Sequence, residues 1–259
     1  MALPTPTRYR LRDDLGDHVP LTGPPSRVVS LVPSLTEAIA LTVPGVLAGA
    51  TSWCTRPAGL DLPRVRGTKN PDLAKVGALR PDLVVANQEE NRRVDVERLR
   101  RAGIAVWVTK TDGLDDALGS MERLFCEVFG LIVPPAWLTA ARHAWSMPAA
   151  PAGRIAVPVW RDPWSWVGGG TYAGDLLARL GWENAVASLG DRYPRLEPET
   201  VLAGTPDVVL LPDEPYPFSA ADAREVFPST RTALAPGRAL FWYGPAMVEA
   251  RDIIEAALA

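Results

Sequence analysis

Residues 27–40 read RVVSLVPSLTEAIA. A basic residue opens a short β-branched, apolar run that ends at a proline. Beyond it the apolar positions recur at helical spacing. Ser34 stands three residues before Glu37, the spacing of a capping box, which predicts a helix starting at Ser34–Leu35 with free N–H groups at its mouth. Strand, tight loop and helix in this order form the opening of a βαβ unit.

The chain says this twice. Residues 154–178, RIAVPVWRDPWSWVGGGTYAGDLLA, repeat the order of basic residue, apolar run, proline-containing loop and helical pattern. A second landmark repeats as well: VGALRPDLVVAN (76–87) places Pro81-Asp82 before Leu83–Ala86, and VLAGTPDVVLLPDEP (201–215) places Pro206-Asp207 before Val208–Leu211. The two landmarks recur at nearly the same offset, so the sequence predicts a structural duplication. Short buried-strand runs at Val28–Val32, Leu83–Ala86, Val106–Thr109, Ile155–Val159, Val208–Leu211 and Ala239–Trp242 alternate with helical stretches. That alternation predicts parallel sheets.

The two halves are joined by helix rather than by a flexible linker. Gly113–Phe129 is apolar at helical spacing, and Ala136–Trp145 follows a Val-Pro-Pro break. The N-terminal stretch Tyr9–Gly23 reads as a hairpin turning at Asp14–Gly16. The expected organisation is an N-terminal α/β lobe with its hairpin over residues 1–112, a helical bridge over 113–150 and a C-terminal α/β lobe over 151–259. Strand ends and helix starts of two such lobes facing one another predict an interlobe ligand cleft.

Composition narrows the function. A net charge of −3 offers no electrostatic case for nucleic acid or an anionic membrane surface. No apolar run reaches the roughly 20 residues of a membrane span. The start of the chain lacks an apolar signal region, which predicts a cytoplasmic protein; the alternative is an extracytoplasmic one whose export signal has been removed. Gly168, Gly170 and Gly174 are spaced one residue too long for a dinucleotide fingerprint, and no P-loop follows. They instead predict a tight turn into a helix capped by Thr171. No hydrolase or zinc motif is present, and the two histidines, His18 and His143, read as solvent-facing or satisfied. Glu89 and Glu90 could serve acid–base work but read better as a solvated rim. Cys54, in a loop after Trp53, is left as a candidate cleft residue, since one cysteine without a histidine is a weak metal site.

The aromatics are the residual signal. Trp53 lies in a loop of the first half, Trp164 and Trp166 in the first strand-to-helix loop of the second, and Trp242 and Tyr243 near its last apolar run. Each alone could be core. Together, in loops that should rim a cleft, they suit a large, flat or apolar ligand.

These segments carry a resemblance. DDLGDHVPL, PPSRVVSLVPSLTEAIAL, GATSWCTRP, NPDLAKVGALRPDLVVAN, WSWVGGGTYAGDLLARLGWENA, LEPETVLAGTPDVVLL and FWYGPAMVEARDII, spanning Leu11 to Leu258, resemble type III solute-binding proteins of ABC transporters. This is the helical-backbone metal-receptor group, with vitamin B12 binders and the related ferric-siderophore and haem binders among its members. The resemblance implies two Rossmann-like lobes bridged by a rigid helix, with the ligand between them. It implies an aromatic contact at Trp53 and cleft-lining segments at Gly67–Pro71 and Asn87–Asn91. GTKNP and NQEEN lack the tryptophans that cobalamin binders can carry there, and the aromatics of the second lobe are the candidate replacement. Arg56 and Arg161 are the candidate basic clamps for a chelate's acidic groups, with Glu89 on the rim. Transport members dock on a permease through one acid per lobe; Glu199 matches the second, whereas the first position holds Ala74, with Asp72 close by.

The expected function is therefore non-enzymatic binding of a large, partly planar ligand: cobalamin or another corrinoid, haem, or a ferric-siderophore type chelate. No cofactor is required, the chain reads as a monomer, and an ABC permease is the candidate protein partner, a case weakened by Ala74. A relative that binds without serving a transporter fits the same sequence. The alternative is a cytoplasmic enzyme using this fold on a tetrapyrrole or metal-chelate precursor.

Overall fold

The apolar run after Arg27 forms β3 (Val28–Ser30), and the stretch before it folds as the expected hairpin, β1 (Leu11–Arg12) with β2 (His18–Val19). The computed structural model describes residues 11–259, so Tyr9 and Arg10 of that hairpin stretch lie outside the described residues. Gly16 sits at φ 84° in the turn, a conformation costly for any residue with a Cβ. Asp13 holds the turn by accepting from the amides of Leu15 and Asp17, and Arg100 meets its other oxygen at 2.6 Å.

Two units divide the chain. The first comprises the described residues up to Lys110 together with Gly119–Leu138; the second comprises Thr111–Leu118 and Thr139–Ala259. In the first, β3 is followed by α1 (Pro33–Thr42), β4 (Leu47–Ala50), α2 (Leu73–Ala78), β5 (Leu83–Asn87), α3 (Arg93–Arg101) and β6 (Val106–Thr109). The four strands after the hairpin are parallel, in the order β4-β3-β5-β6. The chain continues through α4 (Leu114–Glu122), a π-helical stretch at Arg123–Val128 and α5 (Ala136–Ala144).

The second unit runs β7 (Gly153–Ala156), the antiparallel pair β8 (Pro158–Trp160) and β9 (Ser165–Trp166), α6 (Tyr172–Arg179), β10 (Trp182–Asn184), α7 (Pro198–Leu202) and β11 (Val208–Pro212). It closes with α8 (Ala220–Val226), β12 (Thr232–Ala235), α9 (Gly237–Phe241) and α10 (Met247–Leu258). Its parallel sheet has the order β10-β7-β11-β12, the same crossover pattern as the first sheet. The expected pair of parallel-sheet α/β lobes is therefore what the chain forms.

The repeated sequence landmarks have one physical origin. Asp82 accepts from the backbone and hydroxyl of Ser26 and from the Arg27 amide, and its own N–H returns to the Arg27 carbonyl at 2.9 Å. Asp207 does the same at Arg154, accepting its amide at 2.7 Å and donating to its carbonyl at 2.8 Å. Each arginine side chain then reaches the carbonyl that ends the preceding helix region, Leu79 for Arg27 and Gly204 for Arg154. Basic residue and Pro-Asp recur together because they clamp the first and third strands of each sheet.

The glycines also behave as expected. A Cβ on Gly168 would stand 2.4 Å from the Asp191 carbonyl, and one on Gly169 would stand 2.7 Å from that of Ala187. They let the chain pass a neighbouring backbone before Thr171, whose hydroxyl caps α6 by accepting from the Gly174 amide.

Two local expectations are corrected. Ala239–Trp242 is not a strand, since Pro236-Gly237 starts α9 there and the last strand is the preceding β12. The Ser34–Glu37 capping box does not form. Pro33 occupies the first helical position, so α1 begins after Val32, and Ser34 lies inside the helix with its hydroxyl buried and without a partner among the described residues.

Candidate functional site

In open parallel sheets, ligands are received where strands end and helices begin. In the first unit that edge carries the start of α1, the long loop after β4 and the turn after β5.

Trp53 stands in the loop after β4. It is 68% exposed, the most exposed of the tryptophans, and the ideal Cβ position of Gly67 lies 3.4 Å from its indole nitrogen. The loop is nonetheless well anchored: the Ser52 amide donates to the Arg66 carbonyl at 2.7 Å, and Arg64 donates to the carbonyls of Thr51, Cys54 and Leu60. A shallow cavity of about 420 Å³ is lined by Thr55, Leu60, Asp61 and Arg64 of the same loop. An exposed indole on a fixed loop is a surface at which little ordering entropy is lost on binding. Arg56 is exposed in this loop.

Cys54 is buried beneath the loop that carries Trp53. Its sulfur is fully buried beside the Thr36 and Thr51 hydroxyls, at 3.0 and 3.1 Å. Burial pushes the thiol up, so it stays protonated at neutral pH and is a poor metal ligand. No group of three His, Cys, Asp or Glu suited to a metal occurs among the described residues.

The turn after β5 is held by the two asparagines that bound the expected Asn87–Asn91 segment. The Asn87 carbonyl oxygen of the side chain accepts from the amides of Glu89 and Glu90, while its side-chain nitrogen donates to Thr109. Asn91 accepts from the Asn87 amide and donates to the carbonyls of Thr68 and Leu31. Asn91 thus ties the 67–70 turn to the end of β3, and Lys69 donates to the Glu89 carbonyl. The NQEEN spacing was the available signal, since Asx side chains four residues apart close such turns. Glu89 itself is half-buried.

The second unit treats the expected residues differently. Trp166 is 0% exposed, stacks on Trp164 at 5.8 Å and donates its indole N–H to the Leu196 carbonyl. Trp164 stacks in turn on Phe218 and meets Phe227 edge-on. These two indoles are the centre of the unit's hydrophobic core, with no face left for a ligand. Arg161 is committed too: it pairs with Asp222 and Glu225 at 2.6 Å each and lies over the Trp164 ring. The aromatic that does reach solvent is Trp160, 45% exposed and edge-on to Tyr216, a residue sequence reasoning left out.

Trp242 is half-buried beneath the Arg238 guanidinium. Tyr243 is buried and edge-on to Tyr172, whose own hydroxyl is buried with no partner among the described residues. Burial pushes the Tyr172 phenol far above its ordinary value. Glu199 is exposed in the first turn of α7. Ala74 is exposed on α2, while Asp72 caps that helix by accepting from Lys75 and so is committed to a structural role.

No family model matches the chain. A vitamin B12-binding protein of Vibrio parahaemolyticus is 27% identical over 206 residues, covering 72% of this chain and 70% of that protein. Against the vitamin B12-binding protein of Vibrio cholerae the match is 29% identical over 103 residues and spans little more than a third of that relative, 37% of its length. Among solved structures, the periplasmic vitamin B12 binding protein BtuF of Vibrio cholerae superposes with a TM-score of 0.71 at 20% identity, over 91% of this chain and 98% of that one. The periplasmic heme-binding protein BhuT, in complex with two hemes, gives 0.73 at 24% identity, over 92% and 100%. The resemblance read from the sequence and the fold it implied are borne out by these matches. The expected cytoplasmic location is corrected: the matched structures are of proteins named as periplasmic.

Proposed function

We propose that this chain is an extracytoplasmic binding protein that takes a large, partly planar ligand of the corrinoid, haem or metal-chelate class. The relatives and structures reported above are named for binding vitamin B12 and heme. The observation that carries the reading in this chain is Trp53, an exposed indole on a hydrogen-bonded loop at the carboxyl edge of a parallel sheet. In this reading a macrocycle or chelate lies on the indole, flanked by Arg56 and the Glu89 turn. The buried Trp164 and Trp166 support the second unit from within. Glu199, exposed at the start of α7, is the acid offered to a permease.

Calorimetric titration with cyanocobalamin and with an iron porphyrin tests this. At least one should bind the native chain, and Trp53→Ala should weaken it by about 30-fold, the ~2 kcal/mol typical of a well-packed aromatic anchor. Equal binding by the variant would place the site elsewhere, and no binding of either ligand would remove the reading.

A further inference from the structure

The helix α3 carries cations where helix physics disfavours them. It opens on Arg92 at the cap and Arg93 at the first helical position, with no side-chain cap for its free amides. Helix starts favour Ser, Thr, Asp or Asn at the cap, and the positive end of the helix dipole repels cations. Asp95 in the first turn offsets part of that repulsion. The last turn holds Arg98, Arg100 and Arg101, which the dipole favours. Helix stability therefore accounts for the basic end of α3 but not for its basic start.

The acids of the helix lie beneath its arginines. Asp95 has a side chain 3% exposed, held by Arg92 at 2.8 Å and by Arg98 at 3.7 Å. Glu97 is bridged by Arg93 at 2.8 Å and Arg101 at 3.1 Å, its neighbours one turn away on the same face. These four arginine side chains stay 53–92% exposed, so α3 presents guanidinium groups outward. Arg100 turns instead to Asp13 and Asp17 of the hairpin. Packed against α3 is α2, whose Lys75 is exposed and whose Asp72 is spent on its own cap. The net charge of −3 conceals this face, because the chain's surplus acids lie elsewhere.

We propose that the outer face of α3 docks the first unit on an anionic phospholipid surface. Arg93, Arg98 and Arg101 meet the headgroup phosphates, whose oxygens a planar guanidinium engages two at a time. Lipid is the polyanion in reach under the extracytoplasmic location proposed above, on which this choice of partner rests. Neither Trp53 nor its ligand enters the argument.

Sedimentation with vesicles tests the face directly, comparing phosphatidylcholine alone with a mixture holding about one third phosphatidylglycerol. The native chain should bind the anionic vesicles at least tenfold tighter, and about 0.5 M salt should erase the difference. R93Q/R101Q leaves Asp95 paired and should bring the preference below about threefold. Its thermal melt should stay within about 3 °C of the native chain, since exposed ion pairs contribute little to stability. R195Q/R224Q removes the same charge from exposed arginines of the second unit and should keep the preference. Equal loss in the two variants, or no preference for anionic vesicles by the native chain, overturns the proposal. Retention on polyglutamate without vesicle binding also overturns it, and gives the face to an acidic protein. Porphyrin and cyanocobalamin titrations stand apart from this test, so a failed ligand reading leaves the docking face intact.

Discussion

Trp53 and Trp166 show how one residue type takes opposite roles within one chain. Trp166 spends both faces and its N–H inside the second unit, against Trp164, Phe227 and the Leu196 carbonyl. Truncating it to alanine leaves a large cavity and an orphaned carbonyl, so Trp166→Ala should cost about 3–5 kcal/mol in a urea melt. Trp53→Ala, at an exposed site, should stay within about 0.5 kcal/mol of the native chain. A Trp166→Ala protein of native stability that has lost its ligand would return that indole to the binding surface. The sequence could place both tryptophans in loops but could not sort them. Beyond its neighbour Trp164, what buries Trp166 comes from Leu196 and Phe227, partners thirty and more positions downstream that no local pattern announces.

At the scale of elements, capping decided which expectations survived. The Ser34–Glu37 spacing looked like a helix start, yet proline at the first position moved the start back to Val32 and left the serine inside. The capping box that does form is Ser219–Asp222 at α8, where each side chain meets the other's backbone. Ala239–Trp242 shows the other limit: a four-residue apolar run has no period long enough to separate helix from strand. At α8, the Ser219 hydroxyl, and after it Arg161, hold the Asp222 carboxyl below its ordinary 3.8. A carboxyl depressed in the fold contributes stability above its unfolded value and loses it as pH falls through the folded one. Stability from this cap should therefore be level from pH 7 to about 5 and decline below about 4. Asp222→Asn should cost about 1 kcal/mol at pH 7 and flatten part of that acid limb, as read from denaturant midpoints across pH. A variant with an unchanged acid limb would assign the loss to other groups. Asp13 contributes with the opposite sign, because burial raises its carboxyl despite Arg100.

For the molecule as a whole, the duplication was the most legible feature, and the structure gives its reason. Two parallel sheets with one strand order each need a clamp between first and third strands, and Asp82 with Arg27 and Asp207 with Arg154 provide it. Clamps of this kind leave short motifs, whereas the identity of a ligand is written in exposed side chains whose partners are not part of the chain. Binding can be read at this scale without knowing the contacts. A ligand that binds only the folded chain stabilises it by RT ln(1 + [L]/Kd), about 2.7 kcal/mol at a hundredfold excess over Kd. For a chain of this size that corresponds to a rise of roughly 5–10 °C in the melting of the unit that carries Trp53. Calorimetric scans with iron mesoporphyrin at rising concentration should show that transition climbing with the logarithm of ligand, and Trp53→Ala should need about thirty times more ligand for the same rise. A transition that stays fixed at every concentration of both the porphyrin and cyanocobalamin would mean that the exposed indole serves something other than a planar chelate.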